Sequence, residues 1–335
     1  MKLCTYSLGD DKPRAGIKID SQIFDIAACL DRSQTGVDSS RYEALIDVLR
    51  AGPRGLHSVQ RLEELLHRDV HAEQFRAFRH ESAKIKLWAP VPRPNTIRDF
   101  MVFEEHLINS THAVAKRLYP PLAWVNQVTR AITGKFLLRP PKAWYELPIY
   151  YKGSPDTVVG PEHPIVWPSY SNDLDYELEF GVYLWKTGKD IAKQDAKSHI
   201  AGYTIFNDVS ARDTQFREMA GRLGPAKGKD FDTGNVMGPY LVTPDEVGDA
   251  YSLEMRATVN GEQWSRGNSG GMRFSFEEMI SYVSQAETLH PGDFFGSGTV
   301  GNGCGLELGR HLKRGDRITL EVENLGQLSN PIVGA

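Results

Sequence analysis

The chain has 335 residues, 40% hydrophobic and 24% charged, long enough to bury a substantial core and ordinary for a globular protein. A formal net charge of −4 excludes the basic surface of a nucleic-acid binder, and no apolar run approaches the ~18 residues of a membrane-spanning helix or forms an N-terminal signal segment. Cys4, Cys29 and Cys304 are odd in number and widely spaced, so they suggest no disulfide framework or zinc knuckle, and reduced thiols in a cytoplasmic protein are expected.

The first elements form a small α+β unit over residues 1–88. "AGIKID" and "QIFDIAACL" are two β-like runs around a polar "DSQ", which predicts a hairpin. "RYEALIDVLRAG" and "HSVQRLEELLHRD" have the apolar spacing of helices, the first ending on Gly52. Pro90, Pro92 and Pro94 then make a stiff extended linker, and a second domain is expected over residues 89–335. "EEHLINSTHAVAKRLYP" predicts a helix stopped by Pro120, whereas residues 120–150 are apolar, aromatic and basic without a clean period. From 151 onward the signals are mostly β, with an Asn260-Gly261 hairpin turn and one helix opened by a Ser275/Glu278 capping box. Many strands and few helices give a mixed α+β class, mainly β, with a closed or rolled mixed sheet rather than repeated βαβ units.

Residues 173–180, "DLDYELEF", carry the most chemistry. Alternation along a strand puts Asp173, Asp175, Glu177 and Glu179 on one face and Leu174, Tyr176, Leu178 and Phe180 on the other. A solvated outer sheet face is one reading. A buried acidic wall is the other, and it would need counter-charge, most economically a divalent cation that takes carboxylate oxygens. Asp99 and His106, seven residues apart, follow the proline linker; Asp208 ends an apolar strand; Lys227 and Lys229 sit in a glycine-rich loop.

Five motifs occur in a fixed order: Asp175-Tyr176-Glu177-Leu178-Glu179; the run from Asn207 to Gln215 (NDVSARDTQ); the loop from Leu223 to Lys229 followed by Thr233; Ser297-Gly298-Thr299; and Leu328-Ser329-Asn330-Pro331. Together they resemble the fumarylacetoacetate hydrolase family over roughly residues 90–330. The resemblance implies a rolled mixed β-structure that holds a divalent cation, Mg²⁺ first with Mn²⁺ or Ca²⁺ as alternatives. Its ligands would be Asp99, Glu177, Glu179 and Asp208. His106 matches a general base and Glu307 the carboxylate that orients it. Lys229, with Arg212 or Gln215, would stabilise developing negative charge; for Arg212 an internal salt bridge bracing its loop is an equal alternative. Tyr151 matches a substrate-side tyrosine, and Thr299 joins it as a substrate contact. The implied activity is hydrolysis of a C–C bond in a β-diketone or acylpyruvate-type small molecule by a homodimer. A decarboxylase or isomerase of a β-keto acid or 2-oxo-enoate, and a non-catalytic metal-stabilised binding protein, are the alternatives. Asn109 stands where another branch has a catalytic Glu, which favours the hydrolase; Met101 and Met219 stand where the fumarylacetoacetase-like branch has aromatic residues, which changes the pocket.

"GSGTVG" at 296–301 fits a dinucleotide-binding spacing, but the glycine-rich stretch after it has no helical period, so that reading is set aside. Trp124, Phe136 and Trp144, with Arg130, Lys135 and Arg139, are read as an insertion covering the site or a dimer contact.

Overall fold

The computed structural model describes residues 1–33 and 36–334. A twelve-stranded mixed sheet organises the chain. In spatial order its main path runs Arg79–Glu81, Gln22–Asp25, Arg14–Ile19, Lys2–Ser7, Asn235–Val242, Ile200–Asp208, Leu178–Leu184, Asp293–Gly296, Thr96–Phe100 and Tyr150–Gly153. Asp293–Gly296 runs parallel to Thr96–Phe100, and Val158–Val159 runs parallel to Asn235–Val242; the remaining pairs are antiparallel. A five-stranded sheet of Glu262–Asn268, Glu254–Val259, Arg317–Val322, Gly326–Val333 and Ile165–Val166 packs against it.

Part of the large sheet rolls shut. Ile200–Asp208 and Tyr150–Gly153 are four strand spacings apart in sheet order, about 19 Å on a flat sheet. Yet the Tyr151 hydroxyl donates to Asp208 Oδ2 at 2.7 Å. The segment after Tyr150–Gly153 then closes the ring by pairing Val158 and Val159 with Asn235 and Val236. This is the mixed α+β, rolled architecture that the strand-rich pattern predicts.

Leu178–Leu184 is buried on both faces. Leu178, Phe180, Val182 and Leu184 enter one core with Met255, Ala257, Ile318 and Leu320 of the second sheet, whereas Tyr183 enters another with Phe206, Met237 and Phe294. Phe180 packs edge-on against Phe276 of the capped helix Phe276–Val283, whose capping box is present as predicted. Asn260 (φ 52°) and Gly261 (φ 83°) make the expected tight hairpin turn, both left-handed as a type I′ turn requires.

The N-terminal strands join this sheet rather than building one of their own. Leu3 pairs with Leu241, and the apolar residues of 1–88 share a core with Tyr183, Phe206 and Met237. Two local expectations need correction, and one stretch without a predicted element gains one. "QIFDIAACL" is a strand only to Asp25; that side chain accepts from the Ala28 amide at 2.8 Å and starts the helix Ile26–Arg32. The helix within "RYEALIDVLRAG" spans Leu45–Arg50, and Gly52 (φ 63°) begins the next, Gly52–Arg68. Residues 120–150 contain a helix, Pro120–Thr133, with Pro120 in its first turn, where a missing N–H costs nothing. Its period is blurred because Leu122, Trp124, Val125 and Ile132 are all exposed. Among the described residues no helix is long and apolar enough to cross a membrane.

Candidate metal and acid–base site

The rolled strands bring acidic side chains from distant parts of the chain to one buried place. Asp99 lies on Thr96–Phe100, Glu179 on Leu178–Leu184, and Asp208 ends Ile200–Asp208. Each offers one carboxylate oxygen, and the three oxygens lie within 4.8 Å of one another. Asp99 fits because Gly296 is its sheet partner: a Cβ on Gly296 would meet Asp99 Oδ1 at 2.3 Å. The Gly298 amide donates to the same Oδ1 at 3.2 Å, and Thr299 Oγ1 donates to Glu179 Oε1 at 3.0 Å. Thr299, expected as a substrate contact, thus orients Glu179.

The electrostatics of this group are unfavourable without further positive charge. Burial, then mutual repulsion, pushes the Asp99 and Glu179 carboxyls well above the usual carboxylate range. Burial pushes Asp208 up to about 6 despite Lys229 beside it. Glu179 Oε2 and Asp208 Oδ1 are buried without a hydrogen-bond partner among the described residues. Buried polar atoms are seldom left so, and a set of hard carboxylate oxygens with two of them orphaned fits a divalent cation. Asp99, Glu179 and Asp208 are the residues that would hold it.

Glu177 stands apart from those three oxygens. Lys229 Nζ donates to Glu177 Oε2 at 2.6 Å and to Asp208 Oδ2 at 2.5 Å, and Arg212 Nη1 meets Glu177 Oε1 at 2.7 Å. Against the cost of burial, Lys229 and then Arg212 hold the Glu177 carboxyl far below its usual range. Arg212 also donates to Asp175 Oδ2 (2.9 Å) and Gln215 Oε1 (3.0 Å), so its salt bridges run out of its loop to Asp175 and Glu177, while Asp213 beside it accepts from Ser171 Oγ and the Asn172 amide. Asp175 accepts in addition from the Gly305 and Leu306 amides, which fixes the chain leading to Glu307.

The four acids of "DLDYELEF" therefore serve four sets of partners. Asp173 pairs outward with Arg117 and His311, while Asp175, Glu177 and Glu179 are at most 4% exposed. The solvated-face reading does not hold for these three.

Next to Glu177 lies the acid–base pair. His106 is in the first turn of the helix Glu104–Leu118, and its Nδ1 is 2.6 Å from Glu307 Oε1. Glu307 also accepts from the Asn302 amide at 2.8 Å, the Gly303 amide at 3.2 Å and Cys304 Sγ at 3.4 Å. With both its oxygens facing donors, Glu307 is arranged to accept the Nδ1 proton and leave Nε2 as the basic nitrogen.

Two contributors carried no sequence signal. Glu218 accepts from the Ala226, Lys227 and Gly228 amides at 2.7–2.9 Å and so shapes the loop that delivers Lys229, but a lone helical Glu reads as surface. Cys304 lies against the His106–Glu307 pair, and cysteine spacing along the chain gives no hint of it.

Comparison with known proteins bears on the family and the fold. A family model described as "Fumarylacetoacetate (FAA) hydrolase C-terminal" matches residues 123–333. A mitochondrial oxaloacetate tautomerase of Homo sapiens is 40% identical over 187 residues, 56% of this chain and 59% of that protein. A 2,4-didehydro-3-deoxy-L-rhamnonate hydrolase of a Sphingomonas strain is 39% identical over 182 residues, 53% of this chain and 62% of that protein. The chain thus spans about three-fifths of the length of the curated relatives it matches. Among solved structures, the maleylpyruvate hydrolase of Sphingobium superposes over the whole of both chains with a TM-score of 0.69 at 23% identity. The fumarylacetoacetate hydrolase of Exiguobacterium antarcticum gives 0.70 at 24%, again over both whole chains. A second structure of the Sphingobium enzyme is a complex with manganese(II) and pyruvate.

Proposed function

Because the chain belongs to the fumarylacetoacetate hydrolase family, we propose that it is a divalent-metal-dependent hydrolase that cleaves a C–C bond in a β-diketone or acylpyruvate-type small molecule. The observation that carries this reading is the adjacency of two devices: a buried carboxylate group with orphaned oxygens, and a His106 whose Nδ1 is tied to Glu307. Mg²⁺ is the proposed ion; when bound it would polarise a substrate carbonyl as a Lewis acid. His106 Nε2 takes a proton from water, and Glu307 stabilises the imidazolium that results. The Lys229 ammonium, held by Glu177 and Asp208, supplies fixed positive charge beside developing oxyanion character. Tyr151 and Thr299 hold Asp208 and Glu179 in place. The homodimer and the cytoplasmic location belong to the same proposal.

A second reading, a tautomerase or isomerase working on a 2-oxo acid, is favoured by the 40% identity to the human oxaloacetate tautomerase. It needs the same base but no attacking water. The two readings separate by product. Incubating the Mg²⁺-loaded protein with acylpyruvates should abolish diketone absorbance and yield pyruvate plus a carboxylic acid. Enol–keto exchange of oxaloacetate with no new acid from any acylpyruvate would sink the hydrolase reading.

A further inference from the structure

Beside the carboxylate group lies a donor set of different chemistry. His106, Cys304 and Glu307 offer an imidazole nitrogen, a sulfur and a carboxylate oxygen, all within 4.8 Å of one another. The side chains of Cys304 and Glu307 are fully buried, and that of His106 is 7% exposed. Glu307 is the one hydrogen-bond partner of the Cys304 thiol among the described residues. An all-oxygen set suits Mg²⁺, Mn²⁺ or Ca²⁺, whereas mixed nitrogen, sulfur and oxygen donors select Zn²⁺ and similar cations. Three protein ligands with one open position is an arrangement that four-coordinate zinc accepts.

Ligand bonds of about 2.0–2.3 Å place neighbouring donors of a tetrahedral site about 3.3–3.6 Å apart. The 3.4 Å between Cys304 Sγ and Glu307 Oε1 already matches. The 2.6 Å between His106 Nδ1 and that oxygen must open by somewhat less than 1 Å, as the proton between them leaves.

We propose that His106, Cys304 and Glu307 form a second metal site, taking Zn²⁺ or a chemically similar cation, whose occupation shuts the enzyme off. Binding releases the thiol proton to solvent and displaces from Nδ1 the proton held between His106 and Glu307. With the cation on Nδ1, the imidazole proton moves to Nε2, the nitrogen that must be bare to act as base. The site and the base are thus the same imidazole in two mutually exclusive states. The shut-off, though not the binding, rests on the functional reading above.

The test begins with wild-type protein saturated with Mg²⁺. Co²⁺ added as a spectroscopic stand-in should give a near-ultraviolet thiolate-to-cobalt band that saturates at one equivalent and is displaced by Zn²⁺. In Cys304→Ser the band should vanish. The Zn²⁺ affinity should fall by at least the ~10–100-fold that loss of even a supporting group costs a zinc site. The Zn²⁺ inhibition curve should shift by the same factor, measured relative to the variant's own uninhibited rate. No thiolate band in the wild type overturns the proposal regardless of how the variant folds, as does unchanged Zn²⁺ inhibition in Cys304→Ser. If the protein turns over no dicarbonyl, the band and Zn²⁺ binding still report on this site; if turnover is present and the band is not, this site alone falls.

Discussion

Replacing Glu307 by Gln tests the acid–base pair with little change of shape. Glu307 accepts four donors: His106 Nδ1, the Asn302 and Gly303 amides, and Cys304 Sγ. A Gln side chain has one accepting oxygen and one donating NH₂, so one side of this arrangement must fail. If NH₂ faces the Asn302 amide, two donors meet in a buried place, at a cost of about 1–3 kcal/mol, and the uncharged oxygen left to His106 no longer stabilises the imidazolium. If NH₂ faces His106, Nδ1 must become the acceptor and the proton moves to Nε2, where it blocks the base. Loss of a positioned general base costs ~10²–10⁴-fold, or about 3–5 kcal/mol of transition-state stabilisation. Glu307→Gln should therefore lower kcat by that factor with KM for an acylpyruvate changed far less, followed by loss of diketone absorbance. Because Glu307 acts through His106, the double variant with His106→Ala should be no slower than His106→Ala alone. Wild-type turnover in Glu307→Gln, or additive losses in the double variant, would refute the reasoning.

Lys229→Met leaves Glu177 and Asp208 buried without their shared cation, and about 3–5 kcal/mol of stability should be lost in chelator; a denaturation midpoint equal to wild type would contradict this. In chelator, Asp208, with its folded-state pKa near 6 against 3.8 unfolded, binds its proton more tightly when folded. Stability of the metal-free protein should therefore fall as pH rises from about 4 through 6, by about 3 kcal/mol from this group, and keep falling as Asp99 and Glu179 ionise. Mg²⁺ should reverse the trend with release of protons, measurable with a pH indicator in weak buffer; a flat melting temperature across that window would count against the buried carboxylates. Far from the site, Asp25 caps the helix Ile26–Arg32 and pairs with Arg14, which holds its carboxyl below the usual range despite burial. Its stabilisation is present above about pH 4 and lost as pH falls through the lowered pKa, and Asp25→Ala should cost about 1–2 kcal/mol in urea titrations at neutral pH.

How much of this was legible in the sequence depends on range. The capping box at Ser275 and the Asn260-Gly261 turn are local patterns that need only neighbouring residues, and each has its structural counterpart, whereas the single strand expected over 173–180 is split into Leu174–Asp175, paired with Ser210–Ala211, and Leu178–Leu184. The helix Pro120–Thr133 was hidden because its exposed face is as apolar as its packed one. Motif order placed Asp99, Glu179, Asp208, Lys229, His106 and Glu307 on a candidate roster, but not their pairings. That Lys229 and Arg212 occupy both oxygens of Glu177, while Glu179 and Asp208 keep orphaned ones, follows from strand register and from a ring closed between residues 158 and 235.

The same closure explains why an acidic wall can be buried at all. Asp99, Asp175, Glu177, Glu179 and Asp208 are at most 5% exposed, and Lys229 and Arg212 are the two cations buried among them. Five carboxylates against two cations leave three negative charges in excess if all ionise, which a low-dielectric interior does not tolerate. The cations are not shared evenly. Arg212 and Lys229 neutralise Asp175 and Glu177, and Lys229 reaches Asp208 with what remains. The uncompensated charge is thereby concentrated on Asp99, Glu179 and Asp208, the three residues whose oxygens converge. In the absence of a cation the folded protein must retain protons there, consistent with the raised pKa values of all three. A divalent cation would remove two of the three excess charges, so metal binding and folding draw on the same imbalance. Neutralising one of the three, as in Glu179→Gln, should weaken the metal site while making the metal-free fold more stable.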